Sequence, residues 1–232
     1  FSYTGQDGIL GGENQSQFNR YNIRLNSSHT LLRSNDNSYN VITVGENINI
    51  GHGSKSGISQ GSMYWNNVHD LMNANPEMSA DGWTLGAAIN PLAIANTTSQ
   101  GLNESHNWSV NASAYLEIQP IRNLIYKSQF SYRFGNSSYR SMTRVHSSGT
   151  NVATQDNASQ STDSWSNISF ENTLNYKFDL NRHNIDIVLG QSIEQNKFGE
   201  HLEASGNNLL FGNSWDHAYL DNAQIKKLAD VS

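Results

Sequence analysis

The chain has 232 residues, a formal net charge of −6, only 15% charged residues and no cysteine. An acidic balance argues against nucleic acid as a partner, and without cysteine neither disulfides nor thiolate metal sites can form. No stretch approaches the roughly 20 apolar residues of a membrane helix, so only strands could carry this chain across a bilayer.

In chain order, residues 1–10 read as a strand ending in a Gly-rich turn. Residues 17–32 read as a second strand, with Tyr21, Ile23, Leu25 and Leu31 on one face and Asn22, Arg24, Asn26 and Ser28 on the other. The run Ser34-Asn35-Asp36-Asn37 predicts a compact turn. Residues 40–50 form the next strand, with Glu46 interrupting the apolar series Ile42, Val44, Ile48, Ile50. Residues 51–103 read as a very long connection. Trp65, Val68, Leu71 and Met72 have helical spacing there, and residues 82–96 are mildly apolar without clean periodicity.

The clearest unit is 107–134, two alternating strands with a very short turn. Trp108, Val110, Ala112, Ala114, Leu116 and Ile118 share one face; Leu124, Tyr126, Phe130, Tyr132 and Phe134 continue it. A fold about Ile121 sets Trp108 opposite Phe134, Val110 opposite Tyr132 and Leu116 opposite Tyr126. Residues 135–164 read as a long polar loop. Residues 166–180 and 183–197 form a last hairpin about Asn181-Arg182, which sets Phe178 beside Ile185, Leu174 beside Leu189 and Phe170 beside Ile193. That register places Asn172 opposite Gln191, where the two breaks in the apolar pattern could bond to each other. Residues 199–232 show little periodicity and end before a return strand.

Two settings produce such two-faced strands: a soluble sandwich, with the apolar face against a second sheet, or an outer-membrane barrel, with that face in lipid. The alternation runs for about 13 residues per strand, beyond the roughly 9–11 that a tilted strand needs to cross a bilayer. Trp108, Tyr132 and Phe134 at one end and Tyr126, Tyr176 and Phe178 at the other have the placement of a lipid-facing aromatic belt. Short turns alternate with long loops, as in outer-membrane barrels, and Pro76, Pro91 and Pro120 are read as lying outside the strands. The expected fold class is therefore all-β: about seven antiparallel up-and-down strands of a transmembrane barrel with long extracellular loops, one partial domain over 1–232. The alternative is a secreted β-sandwich such as a carbohydrate-binding module. Seven strands cannot close a bacterial barrel, and the chain opens inside a strand at Phe1, so it is expected to be a piece of a longer precursor.

The residues also resemble a known family. Gly5-Gln6-Asp7-Gly8-Ile9 closing an early strand, Tyr21-x-x-Arg24-Leu25-Asn26 in the next, Val44-Gly45-Glu46-Asn47 in the third and Ile89-Asn90-Pro91 before the central hairpin are similar in order and spacing to the SusC/RagA-like TonB-dependent outer-membrane transporters, nutrient importers of Bacteroidetes. The resemblance implies a roughly 22-stranded barrel in a Gram-negative outer membrane, filled by an N-terminal plug and driven through a TonB box. It implies a SusD-like surface lipoprotein as partner and oligosaccharide or peptide as substrate. Plug and TonB box are not within these residues, so contact with the TonB complex would come through the missing N-terminal part. The loop aromatics Tyr64, Trp65, Trp83, Tyr139 and Trp215 are candidates for contact with substrate or lid; the competing reading is that they anchor loops to each other.

No catalytic residue, metal site or cofactor is expected. Glycoside hydrolysis needs two carboxylates in a cleft, whereas Asp216 with Asp221, or Asp7 with Glu13, lie in loops without a supporting motif. His201 and His217 lack a ligand-spaced carboxylate.

Overall fold

A computed structural model describes residues 1–8, 14, 16–58, 69, 72–79, 84–85, 88–148 and 151–231. Eight strands form one antiparallel sheet: β1 (Ser2–Asp7), β2 (Gln17–Arg33), β3 (Asn40–Ser56), β6 (Asn103–Ile121), β7 (Leu124–Thr143), β10 (Asn157–Leu180), β11 (His183–Leu209) and β12 (Ala223–Val231). Their order in space is their order in sequence, an up-and-down meander with β1 and β12 at its edges. Two small pairs stand apart, β4 (Thr84–Leu85) with β5 (Ala88–Ile89), and β8 (His146–Ser148) with β9 (Asn151–Ala153). Each main-sheet strand from β2 to β11 has at least 17 residues, long enough to cross a bilayer and continue beyond it.

All the short turns lie at one end of the sheet. Asn37, Asn123 and Asn181 each adopt a left-handed backbone there, at φ 54°, 68° and 55°, a conformation Asn tolerates better than most residues. In the first turn the carboxylate of Asp36 accepts from the Ser34 hydroxyl at 2.5 Å and from the backbone N–H and hydroxyl of Ser38 at 3.1 and 2.8 Å. These donors, the Ser34 hydroxyl foremost, hold the Asp36 pKa at about 2 against the usual 3.8. Folding thus gains from ionised Asp36 above pH 3.8, and the gain fades as pH falls towards 2. A carboxyl carbon NMR titration should find Asp36 ionised through pH 3, and Ser34→Ala should return its midpoint towards that of an ordinary aspartate.

Several sequence expectations are corrected here. The β10–β11 register is as expected, with Phe178↔Ile185, Leu174↔Leu189, Phe170↔Ile193 and Asn172↔Gln191. However, Asn172 accepts from the Tyr126 hydroxyl on β7, at 2.7 Å, in place of a bond to Gln191. The β6–β7 register lies two residues from the expected one: Val110 opposes Phe134, Ala112 opposes Tyr132 and Ile118 opposes Tyr126. A two-residue slip preserves the faces, so the alternation could not detect it. What fixes it is a turn at 122–123, where Asn123 is left-handed, with a register shift between Ile118 and Ile121. Pro120 lies inside β6, within that irregularity, where its missing N–H breaks no ladder bond.

The loop expected at 135–164 is largely strand, and so is the segment 199–232, expected to end before a return strand. β7 and β10 extend to Thr143 and from Asn157, β11 reaches Leu209, and β12 supplies the return strand. The sheet therefore has eight strands, one more than expected. Within the long connection a helix, α1 (Pro91–Thr97), starts at Asn90, whose side chain accepts from the Leu92 N–H, with Pro91 in the first turn. Of the helix expected around Trp65, only His69 and Met72 fall among the described residues, both with helical backbone.

Cross-strand packing on the polar face is filled by aromatic rings lying over glycines. Tyr115 covers Gly45 directly opposite, and a Cβ on Gly45 would approach the Tyr115 ring to 2.4 Å; Trp165 covers Gly135 in the same way. Lys127 Nζ stands 4.6 Å above the Tyr115 ring, whose hydroxyl donates to Ser28 Oγ at 3.3 Å.

Candidate functional site

The register gives each row of side chains a depth and a face. On one face run Ile23, Ile50, Val110 and Phe134, then Leu25, Ile48, Ala112, Tyr132 and Ile168. No second layer covers this face: Leu25 is 54% exposed, and on other rows of the same face Phe130 is 47% and Leu189 64% exposed. A sandwich would bury this band against a second sheet. Among the described residues the large sheet stands alone, and its apolar side faces outward.

An aromatic row borders the band at the end away from the short turns. Tyr3, Tyr21, His52 and Trp108 occupy one register line across four strands. Their rings follow one another at 4.8, 6.3 and 4.3 Å, and His106 stacks on His52 at 5.8 Å. Trp108 therefore belongs to a row with Tyr3, Tyr21 and His52, while Phe134 and Tyr132 lie one and two same-face register lines inside it. At the other end Tyr176 and Phe178 stack at 5.3 Å and Tyr126 bonds Asn172. Sequence reasoning missed His52 because it ended that strand at Ile50. Glu46 sits on this same side between Ser27 and Ala114, accepting from Ser27 Oγ at 3.0 Å beside a depression of about 370 Å³.

The opposite face is polar. It holds a groove of about 620 Å³ lined by Arg24, Asn26, Asn47, Asn49, Asn111, Ser113, Gln129, Ser131, Arg133 and Trp165. Arg24, Asn49, Asn111 and Arg133 stand on one register line across β2, β3, β6 and β7. That line continues to Asn167 and Asn196, which bond to each other, and Asn167 also donates to Glu194 at 2.5 Å.

Above the aromatic row the pattern changes. On the side that carries the apolar band, the sheet now presents Glu104, His106, Arg140 and Gln160, and residues 210–222 fold over them. Arg140 is the latch. Its guanidinium lies 4.2 Å from the rings of both Trp215 and Tyr219, donates to the Trp215 carbonyl at 3.2 Å and pairs with Glu104 at 3.0 Å. The other Glu104 oxygen meets His106 Nε2 at 2.8 Å. Beneath lie Leu102, Met142, Ala158, Leu209, Ala218 and Ala223, the cluster that buries Trp215 to 7% exposure.

Trp215 is thus covered, and its ring anchors the folded-over segment, as in the competing reading of the loop aromatics. Tyr139 lies in β7, not in a loop, and is 41% exposed. Tyr64, Trp65 and Trp83 lie outside the described residues. His201 and His217 have separate partners, Asp163 Oδ1 at 2.5 Å and Ser214 Oγ at 2.9 Å, and no group of three or more metal-ligating side chains occurs among the described residues.

The fold is the all-β, antiparallel up-and-down wall of a transmembrane-type barrel, open in the residues described. It is similar over 99% of its length to solved structures of the RagAB peptide importer, in the closed-closed state at 17% identity and in the open-open state at 18%, each with a TM-score of 0.69. A further structure of the RagAB peptide transporter matches at 18% identity and the same TM-score. The chain spans 26% of the length of those chains. No family model and no curated protein matches the sequence.

Proposed function

We propose that this chain is a stretch of barrel wall from an outer-membrane, TonB-dependent nutrient importer of the SusC/RagA-like kind, without enzymatic activity of its own. The observation that carries the reading is the uncovered apolar band, continuous across the sheet and bordered by the Tyr3–Tyr21–His52–Trp108 row. A soluble protein would hide such a surface, whereas lipid accepts it. In this reading Trp108, Tyr126, Tyr132, Phe134, Tyr176 and Phe178 face lipid near the two interfaces, and the Arg/Asn face lines the lumen. The open edges at β1 and β12 need further strands, since unpaired backbone groups are not tolerated in hydrocarbon. Peptides or oligosaccharides would enter from the long-loop side beneath a SusD-like lipoprotein, and TonB would act through a plug encoded elsewhere in the protein. The likeness to peptide importers favours peptides.

The chain has no cysteine, which suits a scan of single cysteines across residues 109–116 of β6, spin-labelled in the bilayer-reconstituted protein. Oxygen should reach labels at Val110, Ala112, Ala114 and Leu116, and a water-soluble nickel chelate those at Ser109, Asn111, Ser113 and Tyr115. Even-numbered labels shielded from both reagents would mean a covering sheet, and the sandwich would replace the barrel.

A further inference from the structure

Between the aromatic row and the folded-over segment lies a small polar pocket of about 180 Å³, on the outward side of the sheet. Its floor is two rows of side chains on three interior strands, away from the open edges. Glu104, Arg140 and Gln160 stand on one register line of β6, β7 and β10, and His106, Ser138 and Thr162 on the next. Tyr219, exposed and stacked on Arg140, closes one side. The charges here are already matched: Arg140 pairs with Glu104, and Glu104 also meets His106. The hydroxyls of Ser138, Thr162 and Tyr219, by contrast, have no hydrogen-bond partner among the described residues. Gln160 uses only its oxygen, on the Leu220 N–H at 3.3 Å, and keeps its amide nitrogen unused. Uncharged donors and acceptors beside an exposed aromatic ring suit the hydroxyls and C–H faces of a sugar, whereas a phosphate calls for a cation not already paired.

We propose that this pocket holds the sugar headgroup of a membrane glycolipid whose acyl chains lie along the apolar band below. The inference rests on the reading above that the band faces lipid; this side then faces away from the lumen, out of reach of a plug. Position favours a lipid over a free sugar. On β6 one face carries in succession Glu104, His106, Trp108, Val110 and Ala112. His106 and Glu104 stand two and four residues beyond Trp108, roughly 5 and 10 Å of height at ~3.3 Å per residue and ~40° tilt. The headgroup layer of a leaflet is about 5–8 Å deep, so the pocket lies at that layer and just above it. A molecule with a sugar at one end and apolar chains at the other meets pocket and band at once. Its hydroxyls would donate to Glu104, whose oxygens keep lone pairs beyond the Arg140 and His106 bonds, and accept from Gln160 and Thr162.

Native mass spectrometry of the full-length protein, purified in a polyoxyethylene detergent that carries no sugar, reads lipid retention directly. Monoglucosyl diacylglycerol should be held about tenfold more tightly than phosphatidylglycerol or diacylglycerol with the same chains, the effect of one or two added hydrogen bonds. Methyl glucoside, the sugar without chains, should bind more weakly still. Thr162→Val removes one hydroxyl at nearly constant volume and should weaken glycolipid retention severalfold. Ser138→Phe fills the pocket and should abolish the preference for the sugar head. Hydrogen exchange over residues 210–222 should match the parent protein in both; if Ser138→Phe loosens that segment, Thr162→Val decides. Equal retention of phosphatidylglycerol would mean ordinary boundary lipid and overturn the proposal. So would methyl glucoside bound as tightly as the glycolipid, which would mean a free-sugar site, or parental retention in Thr162→Val. The spin-label scan reads membrane orientation without glycolipid, so failure here and failure of the barrel reading are separately visible.

Discussion

Ala112→Arg is expected to destabilise the bilayer-embedded protein by about 2–4 kcal/mol, the cost of an arginine facing lipid near mid-membrane. Ala112 pairs with Ile48 and Tyr132 on the outward face. It lies four residues inside Trp108, which at ~3.3 Å per residue and ~40° tilt is roughly 10 Å below the aromatic row. Its neighbour Ser113 points into the polar groove, so Ser113→Arg should cost less than about 0.5 kcal/mol, as surface changes usually do. Urea unfolding in liposomes, monitored by tryptophan fluorescence, measures both. Equal costs at the two positions would contradict the assignment of faces; equal costs that vanish in detergent-free buffer would indicate a water-soluble protein.

The second large effect is expected at the latch. Trp215→Ala should destabilise the upper cluster by about 3–5 kcal/mol, the usual range for removing a buried large aromatic. Trp215 packs among Leu102, Met142 and Ala158, and its ring faces the Arg140 guanidinium. Hydrogen exchange should accelerate over residues 210–222 and at Met142, whose N–H donates to the Leu102 carbonyl at 3.0 Å. Tyr139→Ala, one residue from Arg140 but on the other face and 41% exposed, should leave exchange in that segment unchanged. Were Trp215 a ligand contact, its loss would weaken binding and leave exchange as it was.

Burial of Trp215 also indicates what the sequence could reveal. Where one face meets a nonpolar medium and the other a wet interior, alternation is sharp: β10 and β11 were legible there to the residue pair, β6 and β7 to the face but two residues out in register. Above the aromatic row both faces meet water or polar segments. Side chains such as Glu104, His106, Arg140 and Gln160 then occupy positions continuous with Val110, Phe134 and Phe170. With no contrast to write into the sequence, strands read as polar loop. On β11 the phase is also broken. A bulge between Asp163 and Trp165 shifts the pairing, and Gly199 allows it, since a Cβ there would overlap the Ser164 carbonyl. Ile193 and Leu202 thus share a face despite odd and even numbers.

The inner groove was half legible. Arg24 and Asn26 were assigned to the polar face of their strand from alternation alone. That Arg133 stands on the same line as Arg24 follows only from three consecutive registers, one of which hung on a left-handed Asn123. Local pattern fixes faces; turns fix rows.

The length of the strands has its own consequence. Beyond Gly199, β11 continues for ten residues to Leu209, about 33 Å of ladder, or roughly 25 Å of height at ~40° tilt. In an outer membrane, that stiff collar would lift residues 144–148, 151–156 and 210–222 through the saccharide layer. Antibodies and bacteriophages would then meet these connections before they reached the lipid.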